Sequence, residues 1–152
     1  MQRLHRRAAL MAALWVLAAA GSAQGHEYKL GSLVIHHPWS APVAANAEVA
    51  AGYMEIINTG QSDDRLVAAT ADISTACQIH EMKMAGGVMT MNEMADGLVI
   101  PAGGRVVLAP GGYHIMLMGV KKPPPLKAKF GGTLTFARAG TVDITYFVQE
   151  SR

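Results

Sequence analysis

A single cysteine, Cys77, in 152 residues excludes an intramolecular disulfide, so stability has to come from packing, with or without a metal. Beside Ala76 and Ile79 this thiol reads as a small buried hydrophobe. Long apolar runs are also missing. The run Ala8–Ala20 has 13 residues, and no later segment approaches the roughly 18 that a membrane helix needs. Neither a Gly-x-Ser-x-Gly nucleophile turn nor a Gly-rich phosphate loop is present, and Asp63-Asp64 falls in a predicted turn with no paired base. Hydrolytic and acyl-transfer chemistry therefore have no support. Internal repeats and domain boundaries are absent, and the only biased stretch, Pro123-Pro124-Pro125, reads as a stiff surface connection.

The short apolar run has a different meaning. Arg3, His5, Arg6 and Arg7 precede it and Gly21-Ser22-Ala23 follow, the layout of a cleavable secretory signal over residues 1–23. The mature chain is then a single domain over residues 24–152, soluble, exported and without a membrane span. Loss of Arg3, Arg6 and Arg7 leaves 10 Lys and Arg against 11 Asp and Glu, so the positive charge belongs to the leader. No basic stripe remains for nucleic acid.

The chain beyond the leader reads as β throughout. Segments rich in β-branched, aromatic and aliphatic residues recur at Tyr28–His36, Val49–Ile57, Arg65–Thr70, Ala76–Met84, Val88–Glu93, Arg105–Leu108, Tyr113–Met118, Leu134–Ala137 and Val142–Val148. Turn chemistry divides them at Asn58-Thr59-Gly60, Gly86-Gly87, Pro101-Ala102-Gly103-Gly104, Pro110-Gly111-Gly112 and Gly131-Gly132. Eight or nine short strands with such punctuation predict an all-β Greek-key sandwich or barrel.

Methionine is the residue in excess. Seven of the ten lie between Met82 and Met118, and His80, Met91, His114 and Met116 offer two imidazoles and two thioethers within that stretch. Soft, neutral sulfur together with imidazole selects Cu(I) over cations that prefer oxygen. If Gly86-Gly87 is a two-residue hairpin turn, Met84 faces Met89, Met82 faces Met91 and His80 faces Glu93. His80, Met82, Met84, Met89 and Met91 then share one side, Glu81 and Lys83 the other, and His80 and Met91 become diagonal neighbours. In the later strand His114, Met116 and Met118 share a face opposite Tyr113, Ile115 and Leu117. Taken singly, Met82, Met84, Met89 and Met118 read as core or rim packing. Coincidence favours metal, because a histidine falls on the Met-bearing face of each of two strands.

The run His80-Glu81-Met82-Lys83-Met84-Ala85-Gly86-Gly87-Val88-Met89-Thr90-Met91, with Ile100-Pro101-Ala102-Gly103-Gly104 and Pro110-Gly111-Gly112-Tyr113-His114-Ile115-Met116-Leu117-Met118-Gly119 after it, strongly resembles the PCuAC family of periplasmic copper chaperones. The likeness extends upstream to His37-Pro38-Trp39 and Ala51-Gly52-Tyr53. The family pattern is a His, ten residues, a Met, a little over twenty residues, then His-x-Met; here the intervals are 10 and 22 residues. The resemblance implies a cupredoxin-like fold and a metal site of His80, Met91, His114 and Met116. It further implies a role in carrying Cu(I) to the copper-site subunit of cytochrome c oxidase, often alongside a Sco-type thiol protein, and no catalysis. Some relatives carry a His/Met-rich tail, which the final Glu150-Ser151-Arg152 lacks. A carrier needs a hold that a partner can break. Thioethers carry no proton, so only the imidazoles, with an ordinary pKa of about 6.5, compete with protons for the metal.

Two other copper readings stay open at the level of sequence. Cys77, His80 and Met84 have the Cys–His–Met order of a blue-copper electron carrier, with His36 or His37 about forty residues upstream. An N-terminal histidine brace would require cleavage after Gly25 to expose His26. His36-His37, adjacent on a predicted strand, should point to opposite faces and not chelate together, and His37-Pro38-Trp39 reads as packing or hydrogen bonding.

Overall fold

The computed structural model describes residues 26–151; the predicted leader lies outside them. The described residues contain no helix, so none is long and apolar enough to cross a membrane. Eleven strands succeed one another: β1 (Glu27–Leu30), β2 (Leu33–Ser40), β3 (Val49–Asn58), β4 (Asp64–Ala71), β5 (Ala76–Ala85), β6 (Val88–Glu93), β7 (Leu98–Ile100), β8 (Arg105–Leu108), β9 (Tyr113–Met118), β10 (Lys129–Phe136) and β11 (Gly140–Val148). They form one mixed sheet in the order β6-β5-β9-β8-β3-β2-β11-β10-β4-β7, with β1 added to β2 and β9 also paired with β3. Only β2·β11 and β8·β9 are parallel.

The count exceeds the predicted eight or nine for two local reasons, and one predicted turn is absent. Tyr28–His36 is two strands, because Gly31, at φ 57°, turns the chain between Leu30 and Leu33. Leu98–Ile100 is a strand too short to stand out, and it pairs with the start of β4. Gly131-Gly132 is not a turn but lies inside β10. A Cβ on Gly131 would meet Asp72 Oδ2 at 2.6 Å, so glycine there permits close approach rather than reversal.

Alternation decides what is buried. In β3 Ala50, Met54 and Ile56 point inward, in β9 Ile115 and Leu117, and in β11 Ile144, Tyr146 and Val148. The sheet rolls so that β4 packs against β5, and Leu66, Leu134 and Phe136 close the core from the opposite side. Buried polar groups are mostly paired. Asp64 accepts hydrogen bonds from the backbone N–H groups of Arg138 (2.9 Å) and Ala139 (3.0 Å), and the Asn58 amide donates to the carbonyls of Ser62 (2.9 Å) and Ile100 (3.1 Å).

Gly52 sits where β3 crosses this core opposite Ile115, and a Cβ there would lie 2.8 Å from Cε1 of the fully buried Tyr146 ring. Packed on all sides, that ring has nowhere to retreat. Gly52→Ala is expected to cost about 1–3 kcal/mol through overpacking, read as a lowered midpoint in thermal or urea unfolding. An unchanged midpoint would mean that the core is looser there than its packing indicates.

Candidate metal centre

Gly86 and Gly87, at φ 56° and 78°, form the tight turn in which both central residues need positive φ, and this sets the register of the β5–β6 hairpin. Met84 pairs with Met89, Met82 with Met91 and His80 with Glu93, as the count from the turn predicts. On its other edge β5 pairs with β9, where His80 lies directly opposite His114 and Gln78 opposite Met116. His80, His114 and Met116 therefore adjoin on two neighbouring strands, Met116 being the diagonal neighbour of His80. Met91 is diagonal to His80 on the third strand, two strands from His114, and is 46% exposed. Of the four sequence-predicted residues, three adjoin and the fourth borders them from the solvent side.

Both imidazoles are on the outer face of the sheet yet nearly closed off, at 7% exposure for His80 and 6% for His114. Their backs are anchored, since Ile79 and Ile115 point into the core from the same strands. Beyond β9 the same face continues into Ala51, opposite Met116, and then to Tyr53, whose ring lies 4.7 Å from that of Trp39. The two imidazole centroids are 5.6 Å apart, tilted by 55°.

Hydrogen bonds define the tautomers. His114 Nδ1 lies 3.1 Å from the Gly112 carbonyl oxygen, which can only accept, so the proton is on Nδ1 and Nε2 keeps its lone pair. His80 Nε2 lies 2.9 Å from Gln78 Oε1, so that nitrogen carries the proton and Nδ1 keeps the lone pair. Nδ1 of His80 is buried without any partner, a state it shares only with the Tyr146 hydroxyl among the described side chains. Burial holds the His80 imidazole below its usual range; the nearby His114 adds to this and Glu93 opposes it. A neutral ring with an orphan lone pair, oriented through its other nitrogen, has the form of a metal ligand with its supporting shell.

The donor chemistry narrows the metal. Among the described residues no three His, Cys, Asp or Glu side chains gather as a metal cluster. Three or four donors at His80 and His114 are reached only by including thioethers, and such a set suits Cu(I) rather than zinc or calcium.

Sequence reasoning missed Gln78 and Gly112, which orient the rings. Gln78 was visible in principle, two residues before His80 on the same face, whereas the Gly112 carbonyl is placed by a turn. Met84 and Met89, expected as core or rim packing, are instead 64% and 46% exposed with nothing over them.

The structure rules out the blue-copper arrangement. Cys77 packs against the core from the face opposite His80, across from Leu117 and 3.4 Å from the Ser74 hydroxyl. His36 and His37 are on β2, with β3 and β9 between them and β5. Strand parity alone, 77 against 80, keeps thiol and imidazole from a common metal. His36-His37 is no regular strand either: the register slips between His36 and Trp39, and His37 adopts φ 47°. The His37 ring hydrogen-bonds Gln149 at 2.8 Å, the bonding role expected for that segment.

The comparisons return PCuAC domains, copper-bound and apo forms among them. The family model described as "Putative lipoprotein LpqE-like" matches residues 33–148, and the chain belongs to this PCuAC-type family, with a cupredoxin-like fold. Among solved structures it is similar to the copper-bound PCuAC domain from PmoF2, at 29% identity and TM-score 0.71 over 83% of this chain and 99% of that one. The apo PCuAC domain from PmoF1 is similar at 28% and TM-score 0.70, covering 83% and 100%. The Cu(I) form of DR1885 from Deinococcus radiodurans is similar at 26% and TM-score 0.59, covering 88% and 87%. A curated relative, "Putative lipoprotein Lxx21020" of Leifsonia xyli subsp. xyli (strain CTCB07), is 37% identical over 107 residues, 70% of this chain; the match spans 64% of that relative's length.

Burial pushes the Cys77 thiol upward, against smaller opposing effects of hydrogen bonds to Ser74 and the Ala71 backbone. Less thiolate at a given pH means slower reaction. Alkylation of the folded protein near neutral pH is expected to be much slower than for an unfolded control, and rapid labelling of native protein would contradict this placement of the thiol.

Proposed function

We propose that the protein is an exported Cu(I) metallochaperone, a carrier and not a catalyst, that binds one ion tightly through His80, His114, Met116 and Met91. The carrying observation is the pair of facing imidazoles, each hydrogen-bonded through one nitrogen so that the other is free, in a setting where only thioethers complete the shell. The likeness to PCuAC domains whose printed titles include copper-bound and Cu(I) forms supports the same cargo here. The name of the curated relative supports an envelope location, and the predicted leader supports the periplasm as that location and cleavage near Ala23. Delivery to the copper centre of cytochrome c oxidase, with a Sco-type thiol protein as co-worker, is the destination that the family resemblance implies.

The chemistry suits a carrier. Two neutral imidazoles and two thioethers leave the single charge of Cu(I) uncompensated by any ligand anion, and the d¹⁰ ion imposes little geometry of its own. Rigid strands hold His80, His114 and Met116. Met91, on the edge strand and open to solvent, is the donor a partner's thiolate can displace first.

Competition against a Cu(I) chelator across single alanine variants tests the ligand set. Loss of His80 or His114 is expected to weaken the tight ion most, with Met91 and Met116 also critical and Met84 and Met89 far less so. X-ray absorption should report mixed nitrogen and sulfur ligation, with Zn²⁺ bound much more weakly. Uniform losses across all methionines, or a shell of nitrogen and oxygen alone, would refute the assignment.

Cys77→Ser should leave Cu(I) binding nearly intact, because the thiol faces the core. Wild-type protein given Cu(II) should show no strong absorption near roughly 600 nm, where a Cu–thiolate site absorbs. A blue protein that loses colour on this substitution would transfer the function to electron transfer.

A further inference from the structure

The distal half of the β5–β6 hairpin carries apolar side chains that no core claims. Met84 pairs directly with Met89, and Met82, paired with Met91, is the diagonal neighbour of Met89. The register runs unbroken from Ala85↔Val88 to His80↔Glu93, so these thioethers rise from the same face as His80, while the paired Lys83 and Thr90 take the other. Directly opposed Cβ atoms lie about 4.5–5.5 Å apart and diagonal ones about 7–8 Å, so three long, flexible methionine side chains can bring their sulfurs together without backbone movement.

Ordinary packing does not account for this surface. β6 ends the sheet order, and every one of its residues is exposed. An exposed apolar edge invites pairing with another chain, and proteins usually blunt it with charge. Here the hairpin face is given to methionine, a residue with little strand preference, where Lys would be more soluble and Thr both more soluble and stiffer. What thioethers supply and those residues do not is a neutral soft donor.

We propose that Met82, Met84 and Met89 form a second, all-thioether Cu(I) site, weaker than the imidazole site and sharing no side chain with it. The ion enters there from solvent and passes by way of Met91, opposite Met82, to His80. Transfer is ligand exchange: one Cu–S bond forms as another breaks, the metal stays Cu(I), and no proton or electron moves.

The test is anaerobic titration with Cu(I) from a buffered chelate, read by stoichiometry and X-ray absorption. Wild-type protein should hold a weaker ion in addition to the tight one. Met82→Leu/Met84→Leu/Met89→Leu, which keeps the apolar volume, should lose the weaker ion, keep the mixed nitrogen–sulfur one and load it more slowly. His80→Ala/His114→Ala should retain an ion bound by sulfur alone, and adding the three leucines should abolish it. A triple-leucine protein that keeps the sulfur-only ion and loads at the wild-type rate would overturn the proposal and leave an apolar surface without metal function. Absence of the mixed-ligand ion in wild-type protein, with the sulfur-only ion present, would instead defeat the imidazole ligand set alone.

Discussion

The ladder between β5 and β9 has two faces with opposite demands. Toward the interior it must place Ile79 and Ile115 side by side in the core; toward the exterior the same register sets His80 against His114. Side chains alternate with period two, so neither requirement can be met without the other. A slip by one residue would bury the imidazoles in hydrocarbon and expose the isoleucines. The hydrophobic effect therefore holds the imidazole pair in register, and no donor at the site has to contribute that energy itself.

Orientation comes from polar groups. The Gly112 carbonyl accepts a hydrogen bond from His114 Nδ1–H and another from the backbone N–H of Met82 at 3.1 Å, tying the turn before β9 to β5 and to the ring it orients. Gln78 performs the corresponding task for His80 from within its own strand. The cost of this arrangement is visible in the unpartnered His80 Nδ1, since a buried polar atom left without a hydrogen bond costs about 1–3 kcal/mol. An ion that took up this lone pair, as in the proposed site, would offset the penalty.

Exposure along the outer face is graded. The imidazoles are closed off, Met82 and Met116 are half-covered, Met89 and Met91 are equally exposed and Met84 extends furthest into solvent. Glu93, opposite His80, is the acidic group on this face, and the acidic and basic neighbours Glu81 and Lys83, 2.8 Å apart, pair with each other on the opposite side.

Much of this was determined by the sequence itself. Gly86-Gly87 admits one tight hairpin, and counting outward from it places every rung between Ala85↔Val88 and His80↔Glu93; the bounds of β6, β8 and β9 follow equally well from apolar runs between Gly and Pro turns. Strands marked by fewer signals escaped: β7 has three residues, and Gly131-Gly132 reads as a turn although it serves close packing inside β10. Contacts distant along the chain were decided by the tertiary structure alone. Nothing local specifies that β5 pairs with β9, that Gly112 aims its carbonyl at His114, or that Met84 and Met89 are left uncovered. Local turn chemistry and alternation act over a few residues and leave their mark in the sequence, whereas the opposition of His80 and His114 arises from how the whole sheet buries its apolar face.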